Sequence, residues 1–173
     1  MYGRPASLGR SGGRGGGAAA GARSRGERGA PGRGEQSVSV GVVIVTHYQL
    51  GEQFLQALKL IIPNGPTFFA VSVDPAQSVE EMRAGIAKAL EGADSGEGVL
   101  ILTDMFGGTP SNVSLSFLDE RRVEVVTGIN LPMLIKLATM REEKPLEALA
   151  SFIKEYGQRN ISVASELVPG AKE

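Results

Sequence analysis

Apolar and polar positions follow two rhythms along this chain, a period of two and a period near 3.6, and both begin only at Val38. Val38 to Val45 alternates and then turns wholly apolar, the pattern of a strand buried on both faces of a parallel sheet. Gly51 to Ile62 predicts a helix with Phe54, Leu55, Leu58, Ile61 and Ile62 on one face, stopped by Pro63-Asn64-Gly65. Thr67 to Val73 predicts a second strand. Ser78 followed three residues later by Glu81 is a capping-box pattern, and Val79, Met82, Ile86 and Leu90 form the buried stripe of the helix it opens. Gly98 to Thr103 is the third strand and the most apolar. Thr109 and Pro110 predict the N-cap and first residue of a short helix reaching Leu118. Val123 to Thr127 is a fourth strand. Pro132 to Met140 and Pro145 to Gly157 read as helices, the latter turning Leu146, Leu149, Phe152, Ile153 and Tyr156 inward. Ile161 to Leu167 reads as a last, weaker strand. Strands alternating with helices in this way predict βαβ units, hence a doubly wound α/β fold whose mostly parallel sheet carries helices on both faces.

Composition separates the first 37 residues from the rest. They hold 12 of the 24 glycines and seven arginines against Glu27 and Glu35, with almost no bulky apolar side chain. Such a segment buries too little surface to offset its ordering entropy, so residues 1–37 are expected to be a disordered Gly/Arg-rich tail and 38–173 the folded domain. The tail lacks the repeated aromatics of an RNA-binding RGG segment and the apolar core of a secretory signal. Beyond it, 11 basic residues face 17 acidic ones, a poor balance for nucleic-acid binding. No apolar run approaches the ~20 residues needed to span a bilayer. The chain has no cysteine and one histidine, which removes disulfides, thiolate metal sites and most histidine-rich ones, so neither metal nor cofactor is expected.

In a doubly wound sheet, ligands bind beyond the carboxyl ends of the strands. Three polar segments are predicted there: Thr46-His47-Tyr48, the run from Thr103 to Pro110, and Gly128-Ile129-Asn130-Leu131-Pro132. Asp104, then Gly107 and Gly108, then a helix start would form a concavity of N–H groups that favours an anion, with Thr109 adding a hydroxyl. Taken alone, the glycine pair is equally at home in an ordinary strand-to-helix turn. His47, the sole histidine, changes the picture. Neutral imidazole is a good nucleophile, and phosphorylation at nitrogen gives a labile bond suited to a relay. A carboxylate from Asp104 would orient the ring if strands one and three are neighbours, as in hydrolytic triads. The plain alternatives are a histidine satisfied by a backbone carbonyl and an aspartate that caps a turn.

These residues also resemble a known family. Val43-Ile44-Val45-Thr46-His47, the block from Leu100 through Thr103-Asp104-Met105-Phe106-Gly107-Gly108-Thr109-Pro110 to Asn112, and Gly128 to Leu134 are similar to the IIA component of the mannose family of the bacterial phosphoenolpyruvate-dependent sugar phosphotransferase system. The likeness covers roughly Val40 to Leu167. It implies a cytoplasmic phosphotransferase that carries a phosphohistidine at His47 Nε2, loaded from the carrier HPr, with Asp104 as hydrogen-bonded partner. Gly107, Gly108 and Thr109 would hold the phosphoryl group. Family members often have Ser at the position of Thr109, and some have Trp at that of Phe106. The resemblance further implies a C-terminal antiparallel strand exchanged in a homodimer, in keeping with the weak Ile161 to Leu167 segment. A separate IIB component is the expected acceptor, with membrane IIC and IID components indirectly served during sugar uptake. The Gly/Arg tail has no counterpart in the family.

Two rivals fail on residues. A response-regulator receiver with Asp104 as acceptor needs an acidic pair after strand one and a lysine after strand five, where this chain has Thr46-His47 and Glu166-Leu167. A serine hydrolase needs a Gly-x-Ser-x-Gly elbow between a strand and a helix, and none of the predicted strand-to-helix turns carries one. A phosphorylation-dependent regulator of the same family, without a sugar permease, remains open at the level of sequence.

Overall fold

The computed structural model describes residues 39–140 and 144–168. Four strands, β1 (Gly41–His47), β2 (Phe69–Val73), β3 (Val99–Thr103) and β4 (Val123–Thr127), form one sheet in the order β2-β1-β3-β4. Every pairing is parallel. Between them run helices α1 (Leu50–Ile61), α2 (Val79–Ala93) and α3 (Thr109–Leu115), followed by α4 (Leu131–Met140), α5 (Leu146–Arg159) and α6 (Ala164–Leu167). The expected doubly wound α/β fold is the one observed.

The two-residue period of the central strands divides the core in two. Val42 and Ile44 of β1 with Leu100 and Leu102 of β3 face Leu58 of α1, Leu134 and Leu137 of α4 and Leu149 and Ile153 of α5. Val43, Val45, Val99 and Ile101 point the other way, onto Met82, Ile86 and Leu90 of α2 and Val113 of α3. Both central strands are buried on both sides, which is why they read as apolar runs. From β1 the chain moves outward to β2, then crosses back to place β3 on the other flank. That reversal makes the carboxyl ends of β1 and β3 the switch point of the sheet, the place where ligands bind in such folds.

Local signals were accurate where the forces are local. Ser78 accepts from Glu81 N–H while the Glu81 carboxylate accepts from Ser78 N–H, completing the capping box. These bonds hold the exposed Glu81 carboxyl below its ordinary range. Other expectations need correction. Val79 and Ile61, placed by pattern on buried faces, are exposed at helix ends. The third helix has Gly108 rather than Thr109 at its N-cap, and it stops at Leu115 instead of Leu118. Phe117 N–H and Leu118 N–H turn back to Ser114 and Leu115 carbonyls three residues earlier, so the helix loosens into tighter turns. The predicted strand from Ile161 to Leu167 does not form. Ala164–Leu167 makes a single helical turn, and Ile161, Val163 and Leu167 stay exposed. A strand needs a neighbour for its backbone groups, and here Glu166 N–H bonds locally to Val163 O instead. Val38 and the 1–37 tail lie outside the described residues. Among the described residues, no helix is long and apolar enough to cross a membrane.

Candidate functional site

His47 closes β1, on the face of that strand shared with Val43 and Val45. The chain then turns through Tyr48 at φ 45°, the one non-glycine residue with positive φ among those described. Tyr48 N–H donates to Val73 O at 3.0 Å, and Gly51 N–H donates to the buried Thr46 Oγ1 at 2.7 Å. The first bond ties the turn to the end of β2, and the second ties the start of α1 back onto the strand that carries the histidine.

Strands β1 and β3 are neighbours, with Val45 beside Thr103, so Asp104 emerges next to His47. Its Oδ2 lies 2.7 Å from His47 Nδ1 and accepts His47 N–H at 3.0 Å, while its Oδ1 accepts Met105 N–H at 2.9 Å. The Asp104 side chain is 13% exposed and that of His47 37%. Burial by itself pushes the Asp104 carboxyl up. The hydrogen bonds from His47 N–H and Nδ1, the charge of the ring and the Met105 N–H together outweigh it and hold the group below its ordinary range. An ionised carboxylate can only accept, so the proton in the 2.7 Å contact belongs to Nδ1. The neutral ring then carries its free lone pair on Nε2, the outer nitrogen.

Because the folded pKa of Asp104 lies below the unfolded value of about 3.9, its stabilising effect is complete above that value and is lost as pH falls through the folded one. Asp104→Asn is therefore expected to melt below the parent near neutrality, with the gap in Tm closing as pH is taken from about 7 to about 3. A gap independent of pH would show that the carboxylate charge does not contribute.

The loop after Asp104 comes close to the other side of the ring. A Cβ at Gly108 would stand 2.8 Å from His47 Cε1 and 3.3 Å from Nε2, so only glycine admits this approach of main chain to imidazole. Gly107 lies in the left-handed region, at φ +80°. Asn112 closes the loop, its backbone N–H on Gly108 O and its side chain on Gly107 O. Of the five residues singled out from sequence, the structure brings His47, Asp104 and Gly108 into direct proximity. Gly107 and Thr109 flank Gly108 and are exposed.

Sequence reasoning missed two supports. Thr46, the last residue but one of β1, is buried, 0% exposed. Asn130 caps α4 through Met133 N–H at 3.1 Å and reaches across to Gly157 O on α5. An Asn one residue before a helix that opens Leu131-Pro132 was the available signal. The loops spanning 46–50, 74–78, 104–109 and 128–131 at this edge contain Asp74 and Asp104 and no lysine or arginine.

Comparison with known proteins places the fold in a family. The family described as EIIA-man, PTS system fructose IIA component, matches residues 41–154. The fructose-specific EIIA component of Bacillus subtilis (strain 168) is 27% identical over 128 residues, 73% of this chain and 88% of that protein. The sorbose-specific EIIA component of Lacticaseibacillus casei is 27% identical over 134 residues, 76% and 96% of the two chains. Among solved structures, the mannose/sorbose specific IIA subunit from Enterococcus faecalis superposes with TM-score 0.66 at 26% identity, covering 72% of this chain and 94% of that one. A parallel α/β sheet with its one histidine at the switch point, matched to these relatives over most of their length, identifies the chain as a member of the EIIA-man family, the IIA phosphotransferases that serve as phosphocarriers in sugar phosphotransferase systems.

Proposed function

We propose that this protein accepts a phosphoryl group on His47 Nε2 from phosphorylated HPr and delivers it to a separate IIB component. The observation that carries the reading is the 2.7 Å contact between His47 Nδ1 and the Asp104 carboxylate, which in the neutral ring makes Nε2 the nitrogen with the free lone pair. In the transfer, the Nε2 lone pair forms the new N–P bond as the N–P bond of the donor's phosphohistidine breaks, its electron pair returning to the donor nitrogen. Nδ1 keeps its proton throughout. The phosphorylated ring then has imidazolium character, and the Asp104 carboxylate lies against it. The N–H groups about Gly107, Gly108 and Thr109, with the Thr109 hydroxyl, hold the phosphoryl oxygens. The contact of the Gly108 main chain with the ring supports that assignment.

The reaction takes place in the cytoplasm, where HPr and the IIB component meet it, and the membrane IIC and IID components are served only indirectly, through IIB. Residues 38–173 suffice for it and the 1–37 tail is dispensable. A homodimer that exchanges the C-terminal segment is part of the same reading. Exposed Ile161, Val163, Leu167 and Val168 are the side chains such an exchange would bury.

Incubation with phosphoenolpyruvate, Enzyme I and HPr is expected to place phosphate on the protein that is labile in acid and stable in base. The label should map to the peptide carrying His47. Acid-stable phosphate, or a label on another residue, would overturn the proposal.

A further inference from the structure

The turn that follows His47 is strained and tightly held. Tyr48 has φ 45°, in the left-handed region where its Cβ crowds the main chain. A residue other than glycine keeps such a conformation only where its surroundings fix it from several sides. Three bonds do so here. Tyr48 N–H donates to Val73 O at the end of β2. Thr46 Oγ1 accepts Gly51 N–H at 2.7 Å, and the Ser72 hydroxyl donates to Glu52 Oε1 at 2.5 Å.

Thr46 and Ser72 are register partners on β1 and β2, so their side chains share one face of the sheet. Gly51 and Glu52 are consecutive residues in the first turn of α1. Two neighbouring hydroxyls thus clasp two neighbouring helix residues. Gly51 completes the fit, since a Cβ there would stand 3.2 Å from both Ile44 Cγ2 and Thr46 Oγ1. The second Glu52 oxygen, Oε2, is buried with no hydrogen-bond partner among the described residues, so this carboxylate is kept at a cost in solvation. His47 lies one residue beyond Thr46, on the opposite face of β1. Asp104 Oδ2 accepts both the backbone N–H and the Nδ1–H of His47, so ring and main chain must be set together. A turn free to relax at Tyr48 would rotate the main chain beside His47 and disturb both contacts.

We infer that Thr46, Ser72 and Glu52 are positioning residues for His47, clasping the start of α1 onto β1 and β2 so that the Tyr48 turn holds the imidazole against Asp104. The inference rests on the phosphocarrier reading and extends the site to the far face of the sheet.

Thr46→Val keeps the shape and removes the acceptor. Its kcat for transfer from phosphorylated HPr should fall at least about tenfold with KM nearly unchanged, as small misplacements of a reacting group do. Thr46→Ser, which keeps the hydroxyl, should restore most of the rate. Adding Tyr48→Asn to Thr46→Val should shrink the loss to about threefold or less, because asparagine adopts the left-handed turn without being held there. Ser72→Ala, a small change on the edge strand, should keep the fold and slow transfer about threefold. The ring itself gives a second readout, since 15N NMR assigns the two nitrogens of a single histidine without ambiguity. At a pH where the ring is neutral, the parent should show Nδ1 protonated and Nε2 bare. In Thr46→Val and Ser72→Ala the two shifts should draw together as the tautomers mix. Parental rates and parental nitrogen shifts in both folded variants would overturn the inference, as would a Thr46→Val loss that Tyr48→Asn leaves untouched. If Thr46→Val fails to fold, Ser72→Ala decides alone. The nitrogen spectra need no phosphate. Mixed tautomers in the variants, with no label on the parent, would uphold the positioning and overturn the phosphocarrier reading instead.

Discussion

His47→Ala is expected to accept no phosphate at all from phosphorylated HPr while keeping its fold. The substitution removes the one imidazole in the chain, and no other side chain at the carboxyl edge of the sheet offers nitrogen-based nucleophilicity at neutral pH. Its structural cost is small for stated reasons. The ring is 37% exposed, so little apolar area is lost. Asp104 loses the Nδ1 contact but keeps the His47 and Met105 backbone N–H groups, which do not depend on the side chain. A loss of about 1.5–3 kcal/mol in unfolding free energy is the upper scale for one bond to a charged group, reduced here by the partial exposure of the ring. Acid-quenched labelling beside a thermal melt checks both halves. Undiminished label in a folded His47→Ala protein would remove the histidine from the mechanism.

Asp104→Asn is expected to slow transfer from phosphorylated HPr at least ~10-fold, equivalent to about 1.4 kcal/mol of barrier. The reason lies in the count of donors around the carboxylate. Oδ2 accepts both His47 N–H and Nδ1–H, and Oδ1 accepts Met105 N–H, so all three neighbours donate. An amide has a single accepting oxygen. Turned toward His47, it leaves its NH2 against Met105 N–H. Turned away, it sets NH2 against Nδ1, which then must accept, and the ring proton moves to Nε2 and occupies the attacking lone pair. In either orientation the negative charge opposite the phosphorylated ring is gone. Loss of tautomer control in the protease triad costs far more than tenfold, so the figure here is a lower limit. Rapid-quench kinetics on a variant with an unaltered circular dichroism spectrum decides the matter. A parental rate would reduce Asp104 to a loop cap.

How much of this was legible beforehand depends on the range of the forces involved. Helix faces, the Ser78–Glu81 capping box and the apolar character of β1 and β3 follow from residues within a few positions of one another. Alternation of these elements was enough to predict a doubly wound sheet and to gather His47, Asp104 and Gly108 at one edge. The tertiary structure alone decided that β1 and β3 are adjacent, which brings together side chains 57 positions apart at 2.7 Å and so chooses the tautomer of the histidine. It also changed the meaning of the glycine pair. Gly108 is required by the ring of His47 as well as by any anion, a contact that turn chemistry could not reveal. The strain at Tyr48 appears only once α1 is docked behind β1, because the turn between them is set by the Gly51 to Thr46 bond and the packing of the helix. The segment from Ile161 to Leu167 failed as a strand for the complementary reason: β-pairing is a property of two segments in contact, and propensity within one of them cannot supply the second.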